Sequence, residues 1–368
     1  MQVLFIGKKS VTIYGGSIVA DRNLSLFKDI YGYNEVYFLG LDYKSKVSKV
    51  FNSMFNYPMG YSKNGYNEIC YYIEDLNIQI IYLDNSLFGG FAKMLKLQYP
   101  NLKIITFFHN VEFVYFKNKV RLEGYLNLIM QRLAWHNEKA AIKYSDYLIT
   151  LSERDSVSLQ SLYGRKANLV LPIGMKDAFS LYDSLNSNQF SKRPIALFVG
   201  SDNFANLEGI SWFIENVCNK LNCEVWVVGK GMEVLRDKYS NVENLKIEGF
   251  VDNLSDYYYA ASLFINPVFS GSGMKTKTVE AIMYGKYIFG TDEAFVGFDF
   301  DCEKIGRRCN TGEEFITGIN NFLNLSKPKF NQYARDYFIN NYENNVLGKK
   351  LLNFLINEGL ISDSRICI

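Results

Sequence analysis

The feature that most constrains the fold is a rhythm of short apolar runs separated by helix-like segments, repeated once in each half of the chain. In the first half the runs are QVLFIG (2–7), EVYFLG (35–40), QIIYL (79–83), KIITFF (103–108), DYLITL (146–151) and ANLVL (167–171). In the second half the pattern restarts with IALFVG (195–200), EVWVVG (224–229), LKIEGF (245–250), LFINPV (263–268) and YIFG (287–290). Each run is apolar almost throughout, as a strand must be when helices cover both faces of a parallel sheet. Alternation of such strands with helical patterns predicts α/β layers. A chain of 368 residues is long enough for two such domains, each with its own core.

Between the halves lies DAFSLYDSLNSNQFSKRP (177–194), polar, rich in Ser and Asn and ending in Pro194, which reads as an interdomain linker. The expected organisation is a Rossmann-like domain over 1–176, a linker over 177–194 and a second Rossmann-like domain over 195–330. Helix-like segments at 329–343 and 346–357 follow, and 331–368 is expected to pack back on the first domain.

Charge and cysteine usage exclude several classes. Forty basic against 38 acidic residues leave no global field for non-specific nucleic-acid binding. The six cysteines form no CxxC pair and the two histidines, His109 and His136, complete no zinc spacing, so a reducing compartment and no metal are expected. No apolar run reaches the ~18–20 residues of a membrane span, and MQVLFIG is too short for a signal-peptide core, so the expectation is a cytoplasmic protein.

Ligands of open α/β sheets bind beyond the carboxyl ends of the strands, which points to specific loops. The richest is GSGMKTKTVEAIMYGKYIFG (271–290), read as loop, helix, glycine stop and buried strand. Its glycines let backbone N–H groups approach an anion, and the helix start adds a favourable dipole. Lys275 and Lys277 supply mobile charge for phosphate, and Glu280, three residues on, shares a helix face with Lys277. A nucleotide diphosphate suits that set, with phosphates at the lysines and the ribose diol at the carboxylate. A capped amphipathic helix with a Lys–Glu pair satisfies the same string. Gly200 and Gly229 end two strands of the same half. In the first half Gly15 and Gly16 follow the first strand in KKSVTIYGGS, and His109 ends the fourth in FFHNVE, where it reads either as a contact to a reacting sugar or phosphate or as a turn histidine. FDFD (298–301) carries the D-x-D spacing of some metal sites but lies past the last strand and reads as a turn. The segment 117–143, drawn as one helix, sets Lys117, Arg121, Arg132, Lys139 and Lys143 beside an apolar stripe of Leu122, Leu126, Ile129 and Leu133, with Leu128 and Trp135 on the basic face. That pattern suits an anionic membrane surface or a core helix with a solvated face, and Gly124 is a place where it can break.

The order FFHNVE, SDYLITLSERD, LFVGSDNFANLEGISWF, VWVVGKG, IEGFVDNLSDYYYAASLFINPV, GSGMKTKTVEAIMYGK and GTDEAFVGFD resembles the family-4 retaining glycosyltransferases of GT-B architecture, over about residues 1–345. The resemblance implies two doubly wound Rossmann-like domains with the active-site cleft between them, acceptor on the first and nucleotide-sugar donor on the second. It implies transfer to a glycan or lipid-linked acceptor with no cofactor and no metal, in bacterial surface polysaccharide or glycoconjugate assembly. His109, Lys275, Lys277 and Glu280 are then the catalytic set, with Glu280 on the donor ribose and His109 beside the donor sugar. Gly15, Gly16, Gly200, Gly229, Phe250, Val251, Ser272, Gly273 and Met274 line the donor site, Gly249–Val251 passing the nucleobase. Two positions depart from the family. Ser272 stands where many members carry a glutamate that meets donor-sugar hydroxyls. Ser201 and Glu208 stand in the region where many carry an Arg/Lys pair, which leaves the pyrophosphate to Lys275 and Lys277. Two other functions suit the same pattern: a nucleotide-sugar epimerase on this fold, and a non-catalytic nucleotide-sugar-binding subunit of a transferase complex.

Overall fold

The computed structural model describes residues 1–8, 15–41, 52, 55–181, 184, 192–271, 273–325 and 329–361, with the side chains of 15–17, 122–123 and 126 excepted. The chain divides into two compact units, Met1–Met175 with Leu347–Ile368, and Lys176–Val346. Each is built on a six-stranded, all-parallel sheet.

In the first unit the strands are β1 (Gln2–Lys8), β2 (Val36–Leu41), β3 (Ile78–Leu83), β4 (Lys103–Phe108), β5 (Tyr147–Thr150) and β6 (Leu169–Val170), in the order β2-β1-β3-β4-β5-β6. Its helices are α1 (Gly15–Tyr31), α2 (Lys63–Asp75), α3 (Gly89–Gln98), α4 (Glu112–Glu123), α5 (Leu128–Tyr144) and α6 (Glu153–Tyr163). Both faces of β1 are buried from Val3 to Gly7, which explains its unbroken apolar run. One side packs as an aromatic cluster: Phe5 stacks on Tyr82 with ring centres 4.6 Å apart, and Phe27 of α1 meets Tyr82 at 4.5 Å. The final helix, α13 (Asn344–Asn357), brings the chain end to this unit. There Tyr31 donates to the carbonyl of Leu360 at 3.1 Å, and Phe354 meets Tyr147 edge-on.

In the second unit the strands are β7 (Ile195–Val199), β8 (Glu224–Val228), β9 (Leu245–Glu248), β10 (Leu263–Asn266), β11 (Ile288–Gly290) and β12 (Gly306–Arg308), ordered β12-β11-β10-β7-β8-β9. Its helices are α7 (Phe204–Asn216), α8 (Leu254–Ala260), α9 (Thr276–Met283), α10 (Cys302–Ile305), α11 (Gly312–Asn324) and α12 (Gln332–Asn341). Phe198, Phe213, Val227, Ile265 and Phe315 are all fully buried in its core. At ~1.5–3 kcal/mol for each large apolar side chain removed from water, such a core holds the unit together. β12 has no counterpart among the expected strands, because GRR at a sheet edge carries no apolar signal.

Three expectations change in detail. Segment 117–143 is two helices: α4 ends at Gly124, whose φ of 93° suits glycine alone, a 3-10 turn spans Tyr125–Asn127, and α5 begins at Leu128. Lys117 and Arg121 therefore belong to a different helix from Arg132, Lys139 and Lys143. Of the segment 177–194, residues 182–183 and 185–191 lie outside the described residues, while 177–180 are held by the second unit. There Arg335 of α12 pairs with Asp177 through both terminal nitrogens and stacks over Phe179, and the amide of Ser180 donates to Tyr259 at 2.8 Å. The helix-like segment 329–343 appears as α12 in the second unit, packed on α9, and the chain joins the first unit from Leu347.

Candidate active site

Each sheet reverses its strand order at one point, and crevices form there because neighbouring connections leave to opposite faces. In the second unit the reversal lies between β7 and β10. Gly200 and Ser201 leave the end of β7, and the loop 267–275 leaves the end of β10 and runs into α9. Two strand-end glycines are there for contact. A Cβ on Gly200 would lie 2.8 Å from Asn206 Nδ2 and 3.0 Å from Lys277 Nζ. One on Gly229, at φ 142°, would lie 2.1 Å from the carbonyl oxygen of Gly200, so the two strand-end turns touch backbone to backbone. Gly273 turns at φ 66° ahead of the helix.

The lysines of α9 are both engaged, and differently. Lys275, the N-cap residue, donates to the carbonyl of Gly273 at 3.0 Å and pairs with Glu293 at 2.6 Å. Lys277 donates to Asn206 Oδ1 at 2.6 Å and lies over the ring of Phe198, 4.1 Å from its centre. Burial, reinforced by the nearby Lys275, pushes the Lys277 ammonium down to about 7, with Glu280 pulling the other way. Glu280 Oε2 accepts from the hydroxyl of Tyr258 at 3.2 Å. Tyr258 is fully buried and stacked between Tyr284 and Phe264, so the hydroxyl that meets Glu280 is rigidly placed. Burial pushes the Glu280 carboxyl up to about 7, against the Tyr258 hydrogen bond and the charge of Lys277. Burial thus moves a cation and a carboxylate within one helix turn of each other toward their neutral forms.

Among the other residues expected to line a donor site, Phe250 is exposed on the connection after β9, with Val251 half-buried beside it. Met274 is buried, so its side chain is part of the core. Ser272 lies outside the described residues. Glu208 receives the hydroxyl of Ser270 at 2.9 Å, which makes that position acidic and tied to the loop. In FDFD, Phe298 and Phe300 are buried against other rings, and Asp301 caps α10 by accepting from the amide of Glu303. Among the described residues no three His, Cys, Asp or Glu side chains form a metal cluster.

In the first unit the strand order reverses between β1 and β3. Gly15 and Gly16 open α1, but the loop 9–14 before them lies outside the described residues. His109, just past β4, turns its Nε2 to the carbonyl of Asp84 at 2.8 Å and to the Asp84 carboxylate at 3.2 Å. Asp84 also accepts from Asn23 Nδ2 at 2.9 Å. Burial would lower the imidazole pKa, but the carboxylate and carbonyl of Asp84, helped by Glu112, outweigh it and hold His109 above its ordinary value. Nε2–H is thus committed to Asp84, which leaves Nδ1 as the nitrogen for other chemistry. Arg22 is buried close by. Its Nη1 donates to the carbonyl of Pro172, while Nε and Nη2 have no hydrogen-bond partner among the described residues. Glu138, wholly buried, accepts from the amides of Glu112 and Phe113, from Ser86 and from Tyr163, and so fastens the start of α4 just after His109.

Asp84, Asn206, Tyr258 and Glu293, which hold His109, Lys277, Glu280 and Lys275, are the members of the candidate site that sequence reasoning missed. Their types are common, and their roles depend on which chain segments meet. Tyr258 sits in a YYYA run whose three rings look alike in sequence, and Asn206 sits inside an Asn-rich helix start.

Residues 193–299 match the family model described as "Glycosyl transferases group 1". No curated protein matches the sequence. Among solved structures, sucrose-phosphate synthase from Thermosynechococcus elongatus aligns over 98% of this chain and 100% of its own at 13% identity, with a TM-score of 0.74. HepE from Anabaena, solved with UDP, aligns over 97% of this chain and 100% of its own at 12% identity and a TM-score of 0.66. A glycosyltransferase from Rickettsia africae aligns over 96% and 98% at 14% identity and a TM-score of 0.66. At such identities the likeness is one of fold, and it extends over both units. Residues 193–299 thus carry the sequence signature of the group 1 glycosyl transferases, and the chain that contains them has the GT-B fold.

Proposed function

We propose that the chain is a family-4 retaining glycosyltransferase that needs no divalent metal and takes a nucleotide-sugar donor. The observation that carries this reading is the grouping of Lys275, Lys277 and Glu280 on the first turns of α9 at the reversal point of the second sheet, inside the group 1 match. HepE, of the same fold, has been solved with UDP and with UDP-glucose, which makes these the first ligands to try.

In the proposed reaction the bond between the anomeric carbon and the β-phosphate oxygen breaks. The acceptor hydroxyl attacks from the same side, and a β-phosphate oxygen takes its proton. Negative charge builds on that phosphate as the bond opens, so donors already aimed there act more strongly in the transition state than in the ground state. Lys275 and Lys277 are assigned that role, together with the amides at the head of α9. Glu280, held by Tyr258, is assigned the ribose diol. His109, fixed through Nε2, is assigned a contact to the donor sugar through Nδ1. We assign Gly249–Val251 to the nucleobase.

The acceptor class we propose is a glycan or lipid-linked glycan of a bacterial surface polysaccharide or glycoconjugate, made on the cytoplasmic side of the membrane. No helix among the described residues is long and apolar enough to cross a membrane. Tyr125, Leu128 and Ile129 are exposed at the turn between α4 and α5, with Arg121 and Arg132 close in sequence, which suits peripheral contact with anionic lipid.

The test is calorimetric titration of the purified chain with UDP, GDP, ADP and their glucose derivatives, followed by a donor-turnover assay with and without a chelator. Binding of one nucleoside diphosphate, weakened by Glu280→Ala, is expected, since hydrogen bonds to a charged group are worth ~1.5–3 kcal/mol. A chain that binds none of them, or turnover abolished by chelation and restored by manganese, would overturn the reading.

A further inference from the structure

The side chain that holds Lys277 has no role in the reading above. Asn206 is nearly buried on the first turn of α7. Its own amide is fixed by Asn203, the N-cap residue, whose Oδ1 accepts from the Asn206 backbone N–H at 3.0 Å. Its side-chain amide spans two partners that dictate its orientation. Nδ2 donates to the carbonyl of Ser201 at 2.8 Å, and Oδ1 accepts from Lys277 Nζ at 2.6 Å. A carbonyl cannot donate and an ammonium cannot accept, so the amide cannot be turned over without losing both bonds. Gly200 completes the arrangement, because a side chain there would collide with Asn206 Nδ2 and Lys277 Nζ.

We propose that Asn206 is a positioning residue that aims the Lys277 ammonium at the end of β7, as a cation in no ion pair among the described residues and so kept for the diphosphate of the donor. The proposal rests on the nucleotide reading for the identity of the ligand, but the positioning itself is a property of the ligand-free chain. The contrast with Lys275 supplies the argument. Lys275 is closed into an ion pair with Glu293, whereas among the described residues Lys277 is held by a neutral amide oxygen and the face of the Phe198 ring. An amide oxygen fixes direction without cancelling charge, and a ring face does the same. The charged groups that act on Lys277 are Lys275 and Glu280 on its own helix, and β7 and α7 present Phe198 and Asn206 to it. A cation so placed gives up its proton readily when the site is empty and regains it when an anion arrives. Donor binding above neutral pH is then coupled to proton uptake.

The experiment uses the full chain with its lysines reductively methylated with ¹³C-formaldehyde, the Lys277 signal being identified by its absence in Lys277→Arg. Ligand-free protein is titrated by NMR as wild type, Asn206→Ala and Asn206→Asp, each first checked for native thermal unfolding. Two variants are used because Asp keeps an acceptor for Lys277 while Ala removes it. Wild-type Lys277 is expected to titrate well below an ordinary lysine. Asn206→Asp is expected to raise that midpoint by one unit or more through direct charge pairing, and Asn206→Ala to broaden or move the signal as the amine loses its fixed direction. UDP binding is measured in parallel at pH 8 in buffers of different ionisation enthalpy. Uptake of close to one proton is expected for wild type and little for Asn206→Asp, with affinity falling at least tenfold in Asn206→Ala. A Lys277 signal at the ordinary lysine value, or one unmoved by both substitutions, overturns the positioning role whether or not UDP binds. A shifted, Asn206-dependent titration in a chain that binds no nucleotide supports the positioning and overturns the nucleotide reading instead.

Discussion

Glu280→Gln separates the ligand role proposed for Glu280 from what the residue costs the fold. The carboxyl is pushed from an ordinary value near 4.5 up to about 7 by burial, so the folded chain holds a proton there that the unfolded chain releases. The sign follows from linkage. A carboxyl with a raised folded pKa contributes fully only below its unfolded pKa, and that stability is lost as pH rises toward the folded one. At 1.36 kcal/mol per pH unit between 4.5 and about 7, the ceiling is ~3 kcal/mol of destabilisation at pH 8, and under ~1 kcal/mol at pH 5. Residual exposure of the side chain lowers both figures, so ~1–3 kcal/mol at pH 8 is the working expectation. Glutamine keeps an oxygen for the Tyr258 hydroxyl and removes the charge, so the substitution should stabilise the second unit at pH 8 and do little at pH 5. Calorimetric unfolding at the two pH values measures this directly, with ~2–4 °C expected per kcal/mol for a unit of this size. The same variant should bind a nucleoside diphosphate less tightly. A variant that is less stable than wild type at pH 8, or whose gain is equal at both pH values, would show that Glu280 is held by native contacts rather than kept for a ligand.

Three further outcomes are expected. Asp84→Asn removes the charge that holds His109 above its ordinary value while leaving the burial that lowers it, so the imidazole should titrate below ~6.5 by NMR; an unchanged midpoint would refute the Asp84 role. Arg335→Leu breaks the pair with Asp177, whose carboxyl lies below the usual range despite its burial because Arg335 and the amide of Phe179 hold the anion. The loss should be ~1–3 kcal/mol at pH 7 and should shrink as pH falls through the carboxylate range, since a depressed folded pKa contributes stability only above it. Gly229→Ala places a methyl 2.1 Å from the Gly200 carbonyl oxygen at a φ of 142°, and chemical unfolding should show a loss of ~2–4 kcal/mol.

Much of the architecture was written in local pattern. Continuous apolar runs require burial on both sides, so β1, β3, β4, β7, β8 and β10 announce themselves and a parallel α/β arrangement follows. The glycine stop at Gly124 and the lysine–carboxylate spacing of α9 are also local, and they appear where the chain implies. β12 escaped because an edge strand of three residues need not be apolar. The segment 117–143 divides at Gly124, the place where the sequence lets it break, and a helical wheel drawn at one period does not carry across that glycine at positive φ.

What the sequence determined by itself is therefore the fold class, the repeat of one architecture in two halves, and the helix that carries Lys275, Lys277 and Glu280. The partners of those groups were decided only in three dimensions. Asn206 reaches Lys277 across 71 positions of sequence, Glu293 reaches Lys275 across 18, and His109 meets Asp84 across 25. The spacing of a motif fixes which face of its helix a side chain occupies. Whether a lysine is closed into an ion pair or held open by an amide depends on which strand ends the sheet order brings together, and no local pattern encodes that order.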